Sequence, residues 1–249
     1  MLTNIVWNQM DNTFNSINYI SFIDKMIDKI FIINLKHRTD RKKQLINELE
    51  KQNIDQDRYE FFNGVRPTKD DVHEWSSNFC KHVINDVAPN KRDKYLIGCL
   101  GCLKSHMEIV KLSLERGYEN VLILEDDTEF INDYNKIFDY ASQINNDYDM
   151  LYLSGSHLGT KTPTTENIHK VEGTHTTGSY LIKKNAMEFL VENIKGYEKE
   201  IDVFYAMILQ PKFNCYTTIP HITKQRDGFS DIQQNLVNYK LSENQSVIF

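Results

Sequence analysis

Four apolar residues of high strand propensity, Val121-Leu122-Ile123-Leu124, run without a break into three acids, Glu125-Asp126-Asp127. Successive side chains of a strand point to opposite faces, so an uninterrupted apolar run needs cover on both sides. The stretch therefore predicts an α/β class in which helices flank a mostly parallel central sheet. It also places the acids at a strand's carboxyl end, the edge at which open α/β sheets collect their ligands. Three adjacent carboxylates repel one another unless a cation shares them. An all-oxygen site suits Mg²⁺ or Mn²⁺, ions that in turn hold phosphates. An acidic turn in solvent is the plainer alternative, but the apolar run fixes where the carboxylates point and favours a site.

Lys and Arg number 29 against 35 Asp and Glu, a net charge of −6, which argues against general nucleic-acid binding through phosphates. Pro (5) and Gly (10) are scarce, so no flexible linker marks a domain boundary. Of the four cysteines, Cys80, Cys99, Cys102 and Cys215, two make a CxxC. No second CxxC follows, so buried free thiols are expected and not a structural zinc site. No apolar run approaches the roughly 18 residues of a membrane span, and no basic-then-apolar leader opens the chain. The expectation is a soluble, reduced, cytoplasmic protein whose membrane contact is at most peripheral.

Residues 1–28 are read as an N-terminal helical extension, with Ile17, Ile20, Ile23 and Ile27 on one stripe. The stripe docks on the domain; a homodimer or membrane-surface contact is its alternative use. Residues 29–249 are read as one domain. Ile30–Leu35 is the first strand, and the helix after it starts near Thr39 or Asp40, either of which suits an N-cap. Arg38 and Arg41 flank that helix N-terminus, a natural place for a phosphate. Tyr59–Val65 is a second strand. Trp75, Phe79 and Val83, four apart, suggest a helix in an otherwise polar insertion. Gly98-Cys99-Leu100-Gly101-Cys102 leads into a strong helix with Ser105 and His106 in its first turn and Gly117 as its stop. From spacing alone His106 reads as structural. Strands follow at 150–153, 168–172, 179–182 and 213–219, and helices at 134–144, 185–194 and 203–209.

Taken together, several stretches resemble glycosyltransferase family 25. They are Phe31–Leu35 with Arg38-Thr39-Asp40-Arg41, Gly98–His106, Leu122–Asp127, Gly178–Ile182, Ile201–Phe204 and Ser230-Asp231-Ile232. They follow the family's order over roughly residues 29–232; residues 1–28 and 66–95 fall outside the match. The resemblance implies a GT-A-like nucleotide-sugar-binding domain that moves a hexose, galactose or glucose, from a UDP-sugar to a glycan or protein hydroxyl, inverting the anomeric centre. Glu125-Asp126-Asp127 takes the place of the DxD-type motif, which holds Mn²⁺ (or Mg²⁺) against the diphosphate. Asn34, Arg38, Arg41, Asp126, Ser105 and His106 would face the nucleotide-sugar. Asp127 is the first choice of metal ligand, Glu125 sharing through a water and His221 as a third by analogy. Asp202 and Asp231 are the candidate bases. Asp202 is preferred because its apolar flank is expected to raise its pKa, although it equally suits a helix N-cap. A catalytically silent family member acting as a binding or adhesion module is the competing reading, and a metal-dependent phosphohydrolase a further one.

Overall fold

The computed structural model describes residues 26–239. Most of the extension expected over residues 1–28 lies outside that range; Ile27, the last member of its stripe, is fully buried. The elements in chain order are β1 (Lys29–Asn34), α1 (Thr39–Lys51), β2 (Tyr59–Asn63), α2 (Lys69–Trp75), α3 (Arg92–Glu115), β3 (Asn120–Glu125), β4 (Thr128–Phe130), α4 (Lys136–Ser142) and β5 (Met150–Tyr152). They continue with β6 (Ser156–His157), β7 (Lys161–Pro163), β8 (Ile168–Val171), β9 (Thr174–His175), β10 (Ser179–Lys183), α5 (Lys184–Asn193), α6 (Ile201–Phe204) and a π-helical turn over Tyr205–Leu209. The last are β11 (Cys215–Thr218), β12 (Thr223–Gln225), β13 (Gly228–Ser230) and β14 (Asn235–Val237).

The central sheet has the order β2-β1-β3-β10-β5-β11-β8-β7. β2, β1, β3, β5, β11 and β7 point one way and only β10 and β8 point back, so the sheet is mostly parallel. β3 sits between β1 and β10, and Val121, Leu122, Ile123 and Leu124 have no exposed surface. Their alternation divides the core in two. Val121 and Ile123 join α3, α5 and α6 on one face; Leu122 and Leu124 join α1 and α4 on the other. Burying one such side chain contributes about 2 kcal/mol, and the same alternation in β1 and β10 locks the pairing register.

Three local expectations change. α3 begins at Arg92, so Ser105 and His106 lie in the middle of the helix and not in its first turn. Gly98 and Gly101 are inside it because other backbone passes there: a Cβ on Gly101 would meet the Val65 carbonyl oxygen at 2.7 Å, and one on Gly98 the Ile232 Cα at 3.0 Å. The helix after Trp75 does not form; α2 ends at Trp75, Ser76 is extended, and Phe79 and Val83 fall in turns. Neither Thr39 nor Asp40 caps α1. Arg38 holds the cap position without a side-chain cap, because the Asp40 carboxylate is engaged by the Arg38 guanidinium at 3.0 and 3.1 Å. Gly117, at φ +71°, does follow the end of α3.

Candidate active site at the carboxyl edge of the sheet

β1 and β3 end side by side, and β10 starts beside them, so the ends of three central strands converge. Asn34, the last residue of β1, donates from Nδ2 to Asp126 Oδ2 at 2.7 Å and to the Arg38 carbonyl at 3.1 Å. Arg41, in the first turn of α1, donates from Nη1 to Asp126 Oδ1 at 2.8 Å and Asp127 Oδ2 at 3.2 Å. Its Nη2 donates to the Phe229 carbonyl at 2.7 Å, tying the β13 strand to the acids. Cations in a helix's first turn oppose its dipole; here the adjacent carboxylates offset that cost. Arg38 Nη1 donates to Asp231 Oδ2 at 2.5 Å, so Asp231 is engaged by a cation.

Glu125 faces the other way. Its Oε1 accepts from the Thr177 hydroxyl at 2.6 Å and lies 3.4 Å from His106 Nε2. His106 is fully buried, with Nδ1 2.7 Å from the Tyr180 hydroxyl, which lies 2.9 Å from that of Tyr205. The Ser105 hydroxyl donates to the Gly101 carbonyl at 2.6 Å and accepts the Val65 N–H at 2.8 Å, so it braces the strap that crosses α3.

The three acids differ electrostatically. Burial pushes Glu125 up, but the His106 imidazole, the Thr177 hydroxyl and Arg41 outweigh it and hold the carboxyl below its ordinary value. Asp126 ends above its ordinary value, burial outweighing Arg41 and Asn34. Asp127 is pushed up to about 7, by burial first and then by the Glu125 carboxylate, with Arg41 opposing. Its Oδ1 is buried and has no hydrogen-bond partner. A buried carboxylate oxygen left unsatisfied, beside two further acids, fits a divalent cation. The acids do not close into a chelate: no cluster of three His, Cys, Asp or Glu donors among the described residues includes Asp127. One carboxylate with phosphate oxygens and water for the remaining positions is how Mg²⁺-class ions are held.

A cleft of about 1530 Å³ opens over this edge, lined by the three acids, Arg41, Ser105, His106, Asp202 and Asp231. Asn34 and Arg38 stand behind its lining, bonded to Asp126 and Asp231. His221 is not part of the lining; its Nε2 faces His157 Nε2 at 3.2 Å. Burial, with the neighbouring imidazole, pushes His157 down to about 3, and burial pushes His221 down to about 4, so both are neutral at pH 7. The raised pKa expected of Asp202 is overturned. Burial does push it up, but the His175 imidazole and the Thr176 and Val203 N–H groups outweigh burial and hold the carboxyl below its ordinary value. Asp202 is not the cap of α6 either; that position belongs to Glu200. Thr177 and His175 join the site without having been proposed from the sequence; both lie on β9 and the short link that delivers β10 to this edge. Cys102, expected only as a buried thiol, also lines the cleft.

The model of glycosyltransferase family 25 (LPS biosynthesis protein) matches residues 27–205. Human procollagen galactosyltransferase 2 is 27% identical over 192 residues, 70% of this chain and 29% of that protein. Procollagen galactosyltransferase 1-B of Xenopus laevis is 33% identical over 113 residues, 43% of this chain and 17% of that protein. The chain thus spans less than a third of the length of these relatives. Among solved structures, a glycosyltransferase involved in glycosylation of the major capsid of PBCV-1 is similar with a TM-score of 0.41 and 11% identity, over 76% of this chain and 80% of that one.

Proposed function

Because the chain belongs to glycosyltransferase family 25, we propose that it moves a hexose from a UDP-sugar to an acceptor hydroxyl with inversion. The buried, unpartnered Asp127 Oδ1 at the end of the central strand, beside Arg41, carries this reading. The acceptor is a glycan or a protein hydroxyl. The names of the relatives make galactose the first sugar to try and glucose the second.

Asp127 Oδ1, with Glu125 through a water, would hold a Mn²⁺ or Mg²⁺ ion. When bound, such an ion supplies Lewis-acid stabilisation of the departing diphosphate. Arg41 fixes the Asp126 and Asp127 carboxylates from one side, while Asn34 fixes Asp126 from the other. The His106–Tyr180–Tyr205 chain keeps Glu125 ionised and oriented from beneath. Transfer forms a bond from the acceptor oxygen to the anomeric carbon as the bond to the diphosphate oxygen breaks, and the hydroxyl proton passes to a base. Asp202 is the residue to test as that base: it lines the cleft and is ionised at neutral pH. Asp231 is the second candidate, its carboxylate already engaged by the Arg38 guanidinium.

The test is a screen of UDP-sugars for Mn²⁺-stimulated hydrolysis and transfer, with Asp127→Ala as the control. The expected result is activity in the wild type, lost in a folded Asp127→Ala protein. Mn²⁺-dependent UDP binding without any turnover would instead support a binding module, and full activity in Asp127→Ala would overturn the metal assignment.

A further inference from the structure

The Cys99-x-x-Cys102 pair is divided between two clusters. Cys102 lies with His106 and Glu125, whereas Cys99 lies with Cys80 and Glu200; His82, Cys99 and Glu200 line the far part of the same cleft. In the second cluster the two sulfurs and a carboxylate oxygen are all within 4.8 Å of one another. His82 adds a fourth donor, its Nε2 3.2 Å from Glu200 Oε2. That oxygen is buried and receives no well-directed hydrogen bond, while Oε1 accepts from the Tyr95 hydroxyl at 3.0 Å. We propose that Cys80, His82, Cys99 and Glu200 form a structural Zn²⁺ site.

Two thiolates, an imidazole and a carboxylate are zinc's own donor types, and four protein ligands close the tetrahedron, as in structural sites. Ligand atoms around a tetrahedral zinc stand about 3.8 Å apart; the two sulfurs and the Glu200 oxygen need only a small contraction, and the His82 ring, close to Glu200 but outside that group of three, would turn towards the sulfurs. Soft thiolates discriminate against Mg²⁺ and Mn²⁺; the sulfur site and the oxygen site at Asp127 would take different ions. Both cysteines are buried, and Cys80 holds φ +53°, a left-handed conformation uncommon for a residue with a side chain.

The placement explains what the ion would do. Cys80 and His82 belong to the turns between α2 and α3, a stretch of sixteen residues (76–91) whose only helix is a 3₁₀ turn at Pro89–Lys91. Cys99 belongs to α3, and Glu200 caps α6 two residues before Asp202. Hydrogen bonds already draw these segments together: the Trp75 indole N–H donates to the Tyr197 carbonyl at 2.8 Å, the Cys80 N–H to the Glu198 carbonyl at 2.7 Å, and the Asn78 amide and Ser76 hydroxyl to the Glu198 carboxylate at 2.9 and 3.2 Å. Zinc would staple the insertion to α3 and fix the start of α6, releasing the two thiol protons as it binds.

The experiment uses the full chain. Metal analysis of chain purified with zinc should return one zinc per molecule, and Co²⁺ substitution should give a thiolate-to-cobalt charge-transfer band. Cys80→Ser and Cys99→Ser should each remove the band, Cys102→Ser and Asp127→Ala should keep it, and His82→Ala should weaken zinc binding on the order of tenfold or more. Should either serine variant fail to fold, the wild type still decides: a chelator should lower its melting temperature, and zinc should restore it. Absence of the band, its survival without Cys99, its loss with Cys102 alone, or a Cys80–Cys99 disulfide in chain prepared with zinc present would each overturn the site.

Discussion

Arg41 holds Asp126 and Asp127 with a single nitrogen while its second reaches the Phe229 carbonyl. Removing it leaves two buried carboxylates without their cation, so Arg41→Ala should cost about 3 kcal/mol of stability, read as a lower denaturant midpoint. The perturbed Asp127 carboxyl makes a pH-dependent claim as well. Its folded pKa of about 7 lies above its ordinary value of 3.8, so the stability it contributes is complete below pH 3.8 and is lost as pH rises through 7. Asp127→Asn, which cannot ionise, should therefore be more stable than wild type at pH 8 by more than about 1 kcal/mol, one pKa unit's worth, with the gap closing towards pH 4. Equal melting temperatures at both pH values would contradict this assignment. Because a cation needs the ionised form, Mn²⁺ affinity should rise across pH 7 and stay negligible in the Asn variant. For Asp202 the readout is kinetic: Asp202→Asn should lower kcat by about 10²- to 10⁴-fold while donor affinity, measured by titration, is kept.

At the scale of elements, the position of α3 decides which side chains reach the cleft. Its two internal glycines let the 64–67 strap and residues 231–232 lie on the helix backbone. Gly101→Ala, facing the Val65 carbonyl at 2.7 Å, should cost about 1–3 kcal/mol and lower donor binding, since the same strap is braced by Ser105. A variant as stable as wild type would show that the strap is free to move. This element was also where local reading failed. From sequence the helix starts after residues 98–102, whereas close backbone approach, a tertiary matter, requires glycine at 98 and 101 within a continuous helix. Asp202 failed for a related reason. Its apolar neighbours were visible in the sequence, but the N–H of Thr176 and the ring of His175, some 26 residues away, were not. The Val121–Asp127 strand was legible because its whole message is local: burial on both faces, then charge at the end. The division of the CxxC thiols between two clusters was not legible, since it depends on how a helix is rotated against two partners remote in sequence.

Across the whole molecule, one edge of one sheet gathers β1, β3 and β10 ends; Arg41 draws the β13 strand over it, and Arg38 holds Asp231 just beyond that strand. Among the described residues no helix is long and apolar enough to cross a membrane. A donor clamped at that edge would bind only the folded chain. UDP and Mn²⁺ together, at about 100 times the dissociation constant, should therefore stabilise it by about 2.7 kcal/mol, with either alone giving much less. A shift from UDP alone equal to that of the pair would remove the cation from the account. The most direct measurement is anomalous diffraction at the manganese edge from crystals soaked with UDP and Mn²⁺. A single strong peak beside Asp127 Oδ1 with the diphosphate against it is expected; a peak elsewhere, or nucleotide bound with that carboxylate oxygen still unpartnered, would contradict a cation site there.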